Sequence, residues 1–518
     1  MLFINRTSTR TFNRWLQTDR NNKRLLLVSI AAIFLQFLIF KFFYPFPNFM
    51  PPDSYSYLQA AHDHEMINMW AIGYSWFLRF IPFITHHSAG LVWFQYFLLE
   101  LSILYFLFSV SYLLSPGKIL FRILLALSTL NPLIPHISNF ISSDALFTTL
   151  SLVWFTQILW IIHKPHLRLL LLHAAILFMA FTVRYNALYY PIISILVISL
   201  HNQLRRSEKQ MSIGLILLML FIFIGYTQYC YIKKTGVVQF SAFGGWQLAA
   251  NALYGYAHSQ LDSPSNVPPK FRELHTIVNK HMESLSRIPS FLRPDHNIGV
   301  YYLWDFHSPL RIFMNEHWKT DSTKPFFRRW ASMSPLYSEY GRYLIEHHPG
   351  PFVKEFVWPN FVRYYAPPVG FLGYYNEGED SVNKIAVIWF GWKNNKISNY
   401  FKDKKIRVTN FFQVGSALIN LIFLLTFIAF IAVGRYKKSN PFCKKTLTLT
   451  GILWLTNLVF SVLAAPIELR YQLFPILIAF CFLSLLISAL IQETKNISTI
   501  SASAYTSGDN LKVNAPLA

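Results

Sequence analysis

The chain is built around ten long apolar stretches separated by short polar segments. A helix needs about 20 mostly apolar residues to cross a bilayer, and a helix satisfies its own backbone hydrogen bonds there. We therefore predict an all-α polytopic membrane protein with about ten transmembrane helices. The first stretch is too long for the core of a signal peptide and is expected to be retained as an anchor. The stretches lie at 25–44, 90–114, 119–136, 144–163, 167–183, 186–200, 212–232, 411–434, 446–464 and 471–491.

Charge and composition exclude several other classes of protein. Of the 518 residues, 53% are hydrophobic and only 14% are charged, yet the formal net charge is +22. In a soluble protein such a basic excess would indicate nucleic-acid binding, which needs a charged surface that this chain lacks. No nucleic-acid partner is expected. The three cysteines are too few for a secreted disulfide scaffold.

The basic residues are sorted along the chain in a way that predicts its orientation. With the N-terminus in the cytoplasm, twenty Lys and Arg residues fall in cytoplasmic loops and tails. Outside the largest loop, only Lys41, Arg79, Arg184 and Arg470 fall in spans or on the outer side. The excess of positive charge on one side predicts that both termini are cytoplasmic.

The same reading divides the chain into five regions. The segment 233–410 is long enough to form an outer domain, for which we expect a mixed α/β, mostly helical fold. The tail is rich in Ser, Thr and Asn and predicts disorder. The regions are a basic cytoplasmic N-terminus (1–24), a transmembrane catalytic module (25–232) with its first outer loop (45–89), the outer domain (233–410), C-terminal transmembrane helices (411–491) and a cytoplasmic tail (492–518).

Two acids stand where outer loops lead into helical stretches. Asp53 follows two prolines, and Asp144 follows Ser142 and Ser143 at the start of a span. Both positions are typical of helix N-caps. A carboxylate held rigidly at the membrane rim is equally suited to act as a base, and the two interpretations are compatible.

Placing an ionisable residue inside or beside a membrane span costs free energy, so such a residue indicates a function. Arg184 and Arg470 lie at outer span ends, where they fit either an interface arginine or a phosphate-binding group. Glu468 is a possible ion-pair partner of Arg470. Glu100 falls within the second span and is expected to face the bundle interior or a polar cavity.

A metal site is only weakly indicated. Four neighbouring side chains are of kinds that bind metal ions, but no further ligands follow at a fixed spacing. They are His62, Asp63, His64 and Glu65. The sequence leaves open whether a divalent metal binds, and it assigns no cofactor. The chain carries no phosphate-binding GxxxxGK[ST] motif and no GxSxG, HExxH or GxGxxG motif, so nothing indicates cytoplasmic nucleotide chemistry.

Five short motifs occur in order on the predicted outer face. They read PPDSYSYLQAA, MWAIGYSWFLRF, SSDALFTTL, VRYNALYYP and ELRYQLFPILIAF. In these motifs the chain resembles the GT-C superfamily of membrane glycosyltransferases, above all the branch of protein O-mannosyltransferases and the lipid A aminoarabinose transferase. The resemblance covers about 24–232 and 411–491. Ser54 stands where the O-mannosyltransferases carry a second acid, which argues against protein mannosylation specifically.

The resemblance implies transfer of a sugar from a polyprenyl-phosphate donor to a lipid, glycan or protein acceptor at the outer face. It implies Asp53 and Asp144 as the catalytic acids. The implied donor-phosphate ligands are Arg184, Arg470 and Arg79. The implied substrate cavity is lined by Tyr55, Tyr57, Tyr185, Glu100, Glu468 and Tyr471.

Two other functions fit a polytopic chain with a large outer segment. A glycan polymerase or ligase would place its key arginines in that segment, where Arg328, Arg329, Arg342 and Arg363 are candidates. A transporter of lipid-linked glycans would show internal repeats, which are not evident. The outer segments carry no Asn-x-Ser/Thr sequon, which favours a bacterial inner membrane.

Overall fold

The computed structural model describes residues 11–401 and 403–509, with side chains to residue 492. This part of the chain contains eight helices that are long and apolar enough to cross a membrane, so the all-α polytopic prediction is confirmed. Residues 167–183 and 185–199 form shorter apolar helices, interrupted at Arg184. The eight are Arg20–Phe43, Ser88–Leu114, Lys118–Asn139, Asp144–His163, Arg206–Thr235, Arg407–Ala432, Pro441–Ala464 and Leu469–Gln492.

Thirteen helices are labelled here because they carry the bundle, the site or the outer domain. They are α1 (Arg20–Phe43), α2 (Asp53–His62), α3 (Gly73–Phe80), α4 (Ser88–Leu114), α5 (Lys118–Thr129), α6 (Leu133–Asn139), α7 (Asp144–His163), α8 (Leu167–Val183), α9 (Tyr190–Ser199), α10 (Ala242–Tyr256), α11 (Phe326–His347), α12 (Trp358–Tyr365) and α13 (Leu469–Asp509).

Helix α7 lies at the centre of the bundle. Its polar side chains are paired within the apolar interior, as a low-dielectric environment requires. Trp154 stacks on Tyr190 of α9 with ring centroids 3.9 Å apart, and its Nε1 donates to Ser194 Oγ at 2.9 Å. His173 of α8 lies 2.8 Å from the same hydroxyl. One network therefore joins α7, α8 and α9 and fixes the helix that carries Asp144.

Residues 233–410, called the outer segment below, have a second core, which is formed where α10 packs on α11. Trp246 stacks on Trp330 at 5.3 Å and meets the edge of Tyr337 at 4.6 Å. The described residues of 233–410 contain only isolated bridges and no strand, so the mixed α/β prediction is wrong. Aromatic residues favour strands on average. Here Trp330, Tyr337 and Leu344 recur every seven residues, which places them on one helix face.

The end of the outer segment belongs structurally to the bundle. Asn360 of α12 donates to the carbonyls of Val462 and Ala465, each at 2.8 Å, and accepts from Ile467 N at 2.8 Å. These bonds fix the chain reversal that leads into α13. The outer segment therefore brings α12 directly against the start of α13.

The tail differs from its predicted disorder over part of its length. Helix α13 continues to Asp509, so the structure describes 492–509 as helical. Between Pro475 and Gly508 the sequence contains no proline or glycine to stop a helix. Residues 510–518 lie outside the described residues, as do 1–10 with Arg6 and Arg10 of the basic N-terminus.

Two adjacent glycines of α10 provide a test of the packing between α10 and α11. A Cβ at Gly245 would lie 1.9 Å from the Ser334 carbonyl oxygen of α11, whereas a Cβ at Gly244 meets nothing closer than 4.0 Å. We expect Gly245→Ala to destabilise the domain by about 1–3 kcal/mol through overpacking. Gly244→Ala should be neutral or stabilising by up to about 1 kcal/mol, because alanine favours a helix. Thermal unfolding of the purified variants measures both, and equal melting temperatures would contradict the packing.

Candidate active site

A cavity of about 550 Å³ lies at the end of the bundle that faces the outer segment. Five regions form its walls: the start of α2, the loop before α3, the break between α8 and α9, the outer segment, and residues 461–472 that lead into α13. Of the predicted site residues, those lining it are Asp53, Tyr57, Arg184, Tyr185, Glu468, Arg470 and Tyr471.

Asp144 lies directly behind this wall and holds both arginines. Its carboxylate pairs closely with Arg184 Nη1, lies 3.4 Å from Arg470 Nη1 and accepts from Ser142 Oγ at 2.8 Å. Arg470 also donates through Nε to Glu468 at 2.8 Å. The side chains of Asp144 and Arg470 are 3% and 6% exposed, so these charges are nearly removed from solvent. Buried charges persist only when they are paired in this way.

Three helix ends create this arrangement. Asp144 is the first residue of α7, Arg184 is the extended residue that ends α8, and Arg470 is the second residue of α13. The positive end of the helix dipole favours Asp144 and disfavours Arg470. Arg470 therefore depends on its neighbouring acids.

The N-cap interpretation of the two aspartates is wrong. The cap positions are taken by Pro52 and Ser143, and neither aspartate makes a side-chain capping bond. Each is instead the first helical residue, with its carboxylate directed into the site. The Asp144 carboxylate is used to bind arginines and Ser142, rather than backbone N–H groups.

Asp53 has few partners compared with Asp144. Its nearest cation is Arg470 Nη1 at 3.6 Å, and no hydrogen bond reaches its carboxylate among the residues described. Burial raises the pKa of the Asp53 carboxyl to about 6; Arg470 and Arg184 lower it, while Asp144 and Glu468 raise it. A carboxylate with free lone pairs and a pKa near neutrality is suited to accept a proton.

Asn48 fixes the segment that leads to Asp53. Its side chain accepts from Asn376 N at 2.6 Å and donates to the Tyr374 carbonyl at 3.3 Å, both in the outer segment. Its backbone bridges the chain beside Phe140, just before α7. The start of α2 is therefore tied both to the outer segment and to the loop that carries Asp144.

Arg363 of α12 also lines the cavity. No hydrogen bond or ion pair reaches its guanidinium within the described part of the chain. Burial lowers the pKa of Arg363, and the nearby Glu468 opposes this shift. Arg184 and Arg470 are neutralised by acids, whereas Arg363 presents an uncommitted cation. From the sequence, Arg363 was a candidate only for the alternative function of a glycan polymerase or ligase, as one of four arginines.

A wall of aromatic rings completes the cavity. Trp70, Phe243 and Trp304 have ring centroids 5.9–6.2 Å apart and are tilted by 34–40°. Tyr57, one helical turn after Asp53, packs against Trp70 at 5.8 Å. Sequence reasoning missed these three rings, because they come from three separate regions and no local pattern connects them.

Besides Asp144, three further residues predicted for the phosphate site or the substrate cavity lie outside the cavity lining. Arg79 donates to the backbone carbonyls of Ala60 and Glu65 and so holds the end of the first-loop helix. Tyr55 stacks on Phe49 at 5.6 Å. Glu100 is fully buried in α4, and neither of its carboxylate oxygens has a hydrogen-bond partner in the described residues. The structure therefore shows Arg79 bound to backbone carbonyls, and its predicted phosphate contact stays a prediction.

The weak metal candidates remain apart from the cavity. His62 pairs with Asp63 at 2.9 Å in an exposed turn, and neither His62 nor His64 lines the cavity. Within residues 11–401 and 403–509, no group of three or more His, Cys, Asp or Glu side chains is placed to hold a metal ion.

Comparison with protein-family models, with curated proteins and with solved structures finds no match for this chain.

The pairing of Asp144 with two arginines predicts a large effect on stability. We expect Asp144→Ala to lower stability by about 3–5 kcal/mol, because it leaves buried guanidinium groups without their shared partner. Glu339→Ala is the control, since it removes an exposed pair with Lys270 and should cost about 0–1 kcal/mol. Melting temperatures of the purified proteins in detergent measure the difference. Equal shifts for the two variants would contradict a structural role of the buried cluster.

Proposed function

We propose that this protein is an integral membrane glycosyltransferase that moves a sugar from a polyprenyl-phosphate donor to an acceptor. The observation that carries the proposal is the cavity itself. Among the described residues it combines a carboxylate that accepts no hydrogen bond, Asp53, with a cation that forms no ion pair, Arg363. Glycosyl transfer from a phosphate requires both a base and a cation that accepts the leaving charge.

In the proposed reaction, the acceptor hydroxyl attacks the anomeric carbon of the donor sugar. A bond forms between the acceptor oxygen and this carbon, and the bond from this carbon to the phosphate oxygen breaks with its electron pair. Asp53 takes the hydroxyl proton. The negative charge remains on the polyprenyl phosphate, where Arg363 stabilises it together with Arg184 and Arg470, which line the same cavity.

Asp144 has a positioning role in this proposal. Its carboxylate is occupied by Arg184, Arg470 and Ser142, so it is not available as a second base. By fixing the guanidinium groups of Arg184 and Arg470, Asp144 sets the geometry of the phosphate-binding part of the cavity before the donor binds. Such preorganisation avoids the cost of rearranging charges during the reaction.

The location of the cavity supports a lipid-linked donor. It lies where α7 and α13 begin and α8 ends, so a phosphate bound there stays within reach of a prenyl chain in the bilayer. On this proposal the cavity opens to the periplasmic side of a bacterial inner membrane, as the distribution of basic residues predicts. The aromatic wall offers flat apolar surfaces for a sugar ring.

A glycan polymerase or ligase is the second candidate, and Arg363 favours it. This arginine comes from the outer segment, where that class was expected to carry its key cations, and it reaches the same cavity as Asp53. The two candidates differ in the donor. A glycosyltransferase of the first kind transfers one sugar, whereas a polymerase or ligase transfers an assembled glycan.

Substitution of Asp53 tests the proposed base. Asp53→Asn should lower transfer at least 10²-fold, because the amide cannot take the proton. The measurement is release of free polyprenyl phosphate by purified protein from a panel of radiolabelled polyprenyl-phosphate sugars and lipid-linked oligosaccharides, with a membrane extract as acceptor. Asp63→Asn is the matched control, since Asp63 is exposed at the other end of the same helix.

Unchanged turnover in Asp53→Asn would overturn the mechanism. A further readout is the pH profile of the unsubstituted enzyme. The Asp53 pKa of about 6 predicts that the rate rises as pH increases through this value and levels off above it, because the ionised form is the base. The length of glycan transferred distinguishes the two candidate functions.

Arg363 is expected to act on the phosphate side. Arg363→Gln should reduce turnover by about 10²–10³-fold, as found when a donor to a developing negative charge is removed. Arg342→Gln in α11 is the control, because this arginine is exposed and does not line the cavity. The assay is the same release of polyprenyl phosphate. Equal activity of the two variants would remove Arg363 from the mechanism.

A further inference from the structure

A second cavity, of about 580 Å³, lies between α1, the α5–α6 region and the segment 401–408. It shares no lining residue with the candidate active site. Most of its lining is apolar and comes from helix ends at the side of the bundle that carries the outer segment. The proposed glycosyl transfer makes no use of it.

The opening of this cavity lies on a face that the bundle turns toward the bilayer. Ile39 lines it with 52% exposure, and the adjacent Phe42 is 66% exposed. Tyr400 and Phe401 pack on Phe42 and Phe43 at the end of α1, with centroids 5.2–5.5 Å apart. Aromatic side chains concentrated at a helix end are typical of the membrane interface. An acyl chain can therefore enter the cavity sideways from the lipid.

Polar groups at the rim carry a net positive charge. Lys405 and Arg407 both line the cavity, and Asp403, the acid among its lining residues, lies 3.4 Å from Arg407. Lys405 has no ion-pair partner in the described part of the chain. This charge distribution is complementary to a lipid phosphate.

A buried histidine provides an independent indication of a ligand. His136 is 7% exposed and lines the cavity, yet no hydrogen bond to its imidazole exists among the described residues. Its ring instead packs edge-on against Phe40 and Tyr44, at 5.0 and 5.2 Å. A polar ring in an apolar wall is costly unless a ligand completes its hydrogen bonding.

We propose that this second cavity binds an anionic phospholipid of the surrounding bilayer. One acyl chain lies against Ile39, Phe40 and Phe43. The phosphate group lies near Lys405 and Arg407, within reach of His136. Lateral opening to the membrane and the positive rim favour a bilayer lipid over a soluble partner.

Such a lipid would contact a segment that also supports the candidate active site. Ile406 N donates to the Gly373 carbonyl and Tyr375 N to the Lys404 carbonyl, each at 2.8 Å. In the same stretch, a Cβ at Gly370 would lie 2.8 Å from the carboxyl carbon of Glu468. The segment that lines the second cavity is therefore hydrogen-bonded to residues 373–375, close in the chain to Gly370 beside the arginine–acid cluster.

Native mass spectrometry of the purified full chain tests the proposal. The probes are phosphatidylglycerol and phosphatidylcholine of identical acyl chains, added separately to the detergent-solubilised protein. We expect phosphatidylglycerol to be retained at least about fivefold more, since each basic residue adds about a fivefold preference for an anionic lipid. The double variant Lys405→Gln/Arg407→Gln should lose this preference.

The matched control is Lys393→Gln/Lys396→Gln, which removes two exposed cations nearby in the chain but outside the cavity. It should keep the preference. Equal retention of the two lipids, or an equal loss in both double variants, would overturn the proposal. Displacement by inorganic phosphate would overturn it by showing that the acyl chain is dispensable. A preference for polyprenyl phosphate over phosphatidylglycerol would overturn it by making this a donor-lipid site.

Ile39→Trp distinguishes binding of the lipid in the cavity from attraction of the lipid by surface charge alone. The larger side chain fills the apolar part of the cavity while leaving both rim cations in place. We expect it to reduce retention of phosphatidylglycerol, with an unchanged melting temperature showing that the bundle still folds. Full retention in this variant would contradict insertion of an acyl chain. These measurements do not depend on glycosyl transfer, so their outcome is independent of the proposed enzyme activity.

Discussion

The contact of Asp144 with Arg184 and Arg470 is the interaction on which the rest of the site depends. It joins the start of α7, the end of α8 and the start of α13 in a region nearly closed to solvent. Unpaired charges are unstable in such surroundings, so these three helix ends cannot separate without a large electrostatic cost. The wall of the cavity is therefore set by charge pairing as much as by apolar packing.

This pairing gives the two aspartates unequal capacities. The Asp144 carboxylate binds two arginines and a serine, whereas Asp53 has a single ion-pair contact among the described residues, with Arg470 at 3.6 Å. The same contrast holds for the cations, because Arg363 has no acid partner in the described chain and Arg470 has several. A phosphate entering the cavity can meet Arg363 without displacing a carboxylate. The proposed chemistry rests on these two uncommitted groups.

Part of the site followed from the sequence, because span ends on one face of a bundle lie near one another. That reasoning brought Asp53, Asp144, Arg184 and Arg470 together as candidates. Arg79 of α3 does not line the cavity with them, because its guanidinium donates to the backbone carbonyls of Ala60 and Glu65. The mixed α/β expectation for the outer domain failed, because aromatic composition indicates strand propensity while the seven-residue spacing forms a helix face.

By itself the sequence determined the helical, membrane-spanning class of the protein, since the free energy of transferring a run of side chains into lipid is a local property. Tertiary structure alone decided which polar groups are paired and which remain free. Asp53, Arg363 and the rings of Trp70, Phe243 and Trp304 are distant in sequence and meet only when the outer segment packs on the bundle. Hydrogen bonds and ion pairs depend on distances of a few ångströms, and those distances exist only in the folded chain.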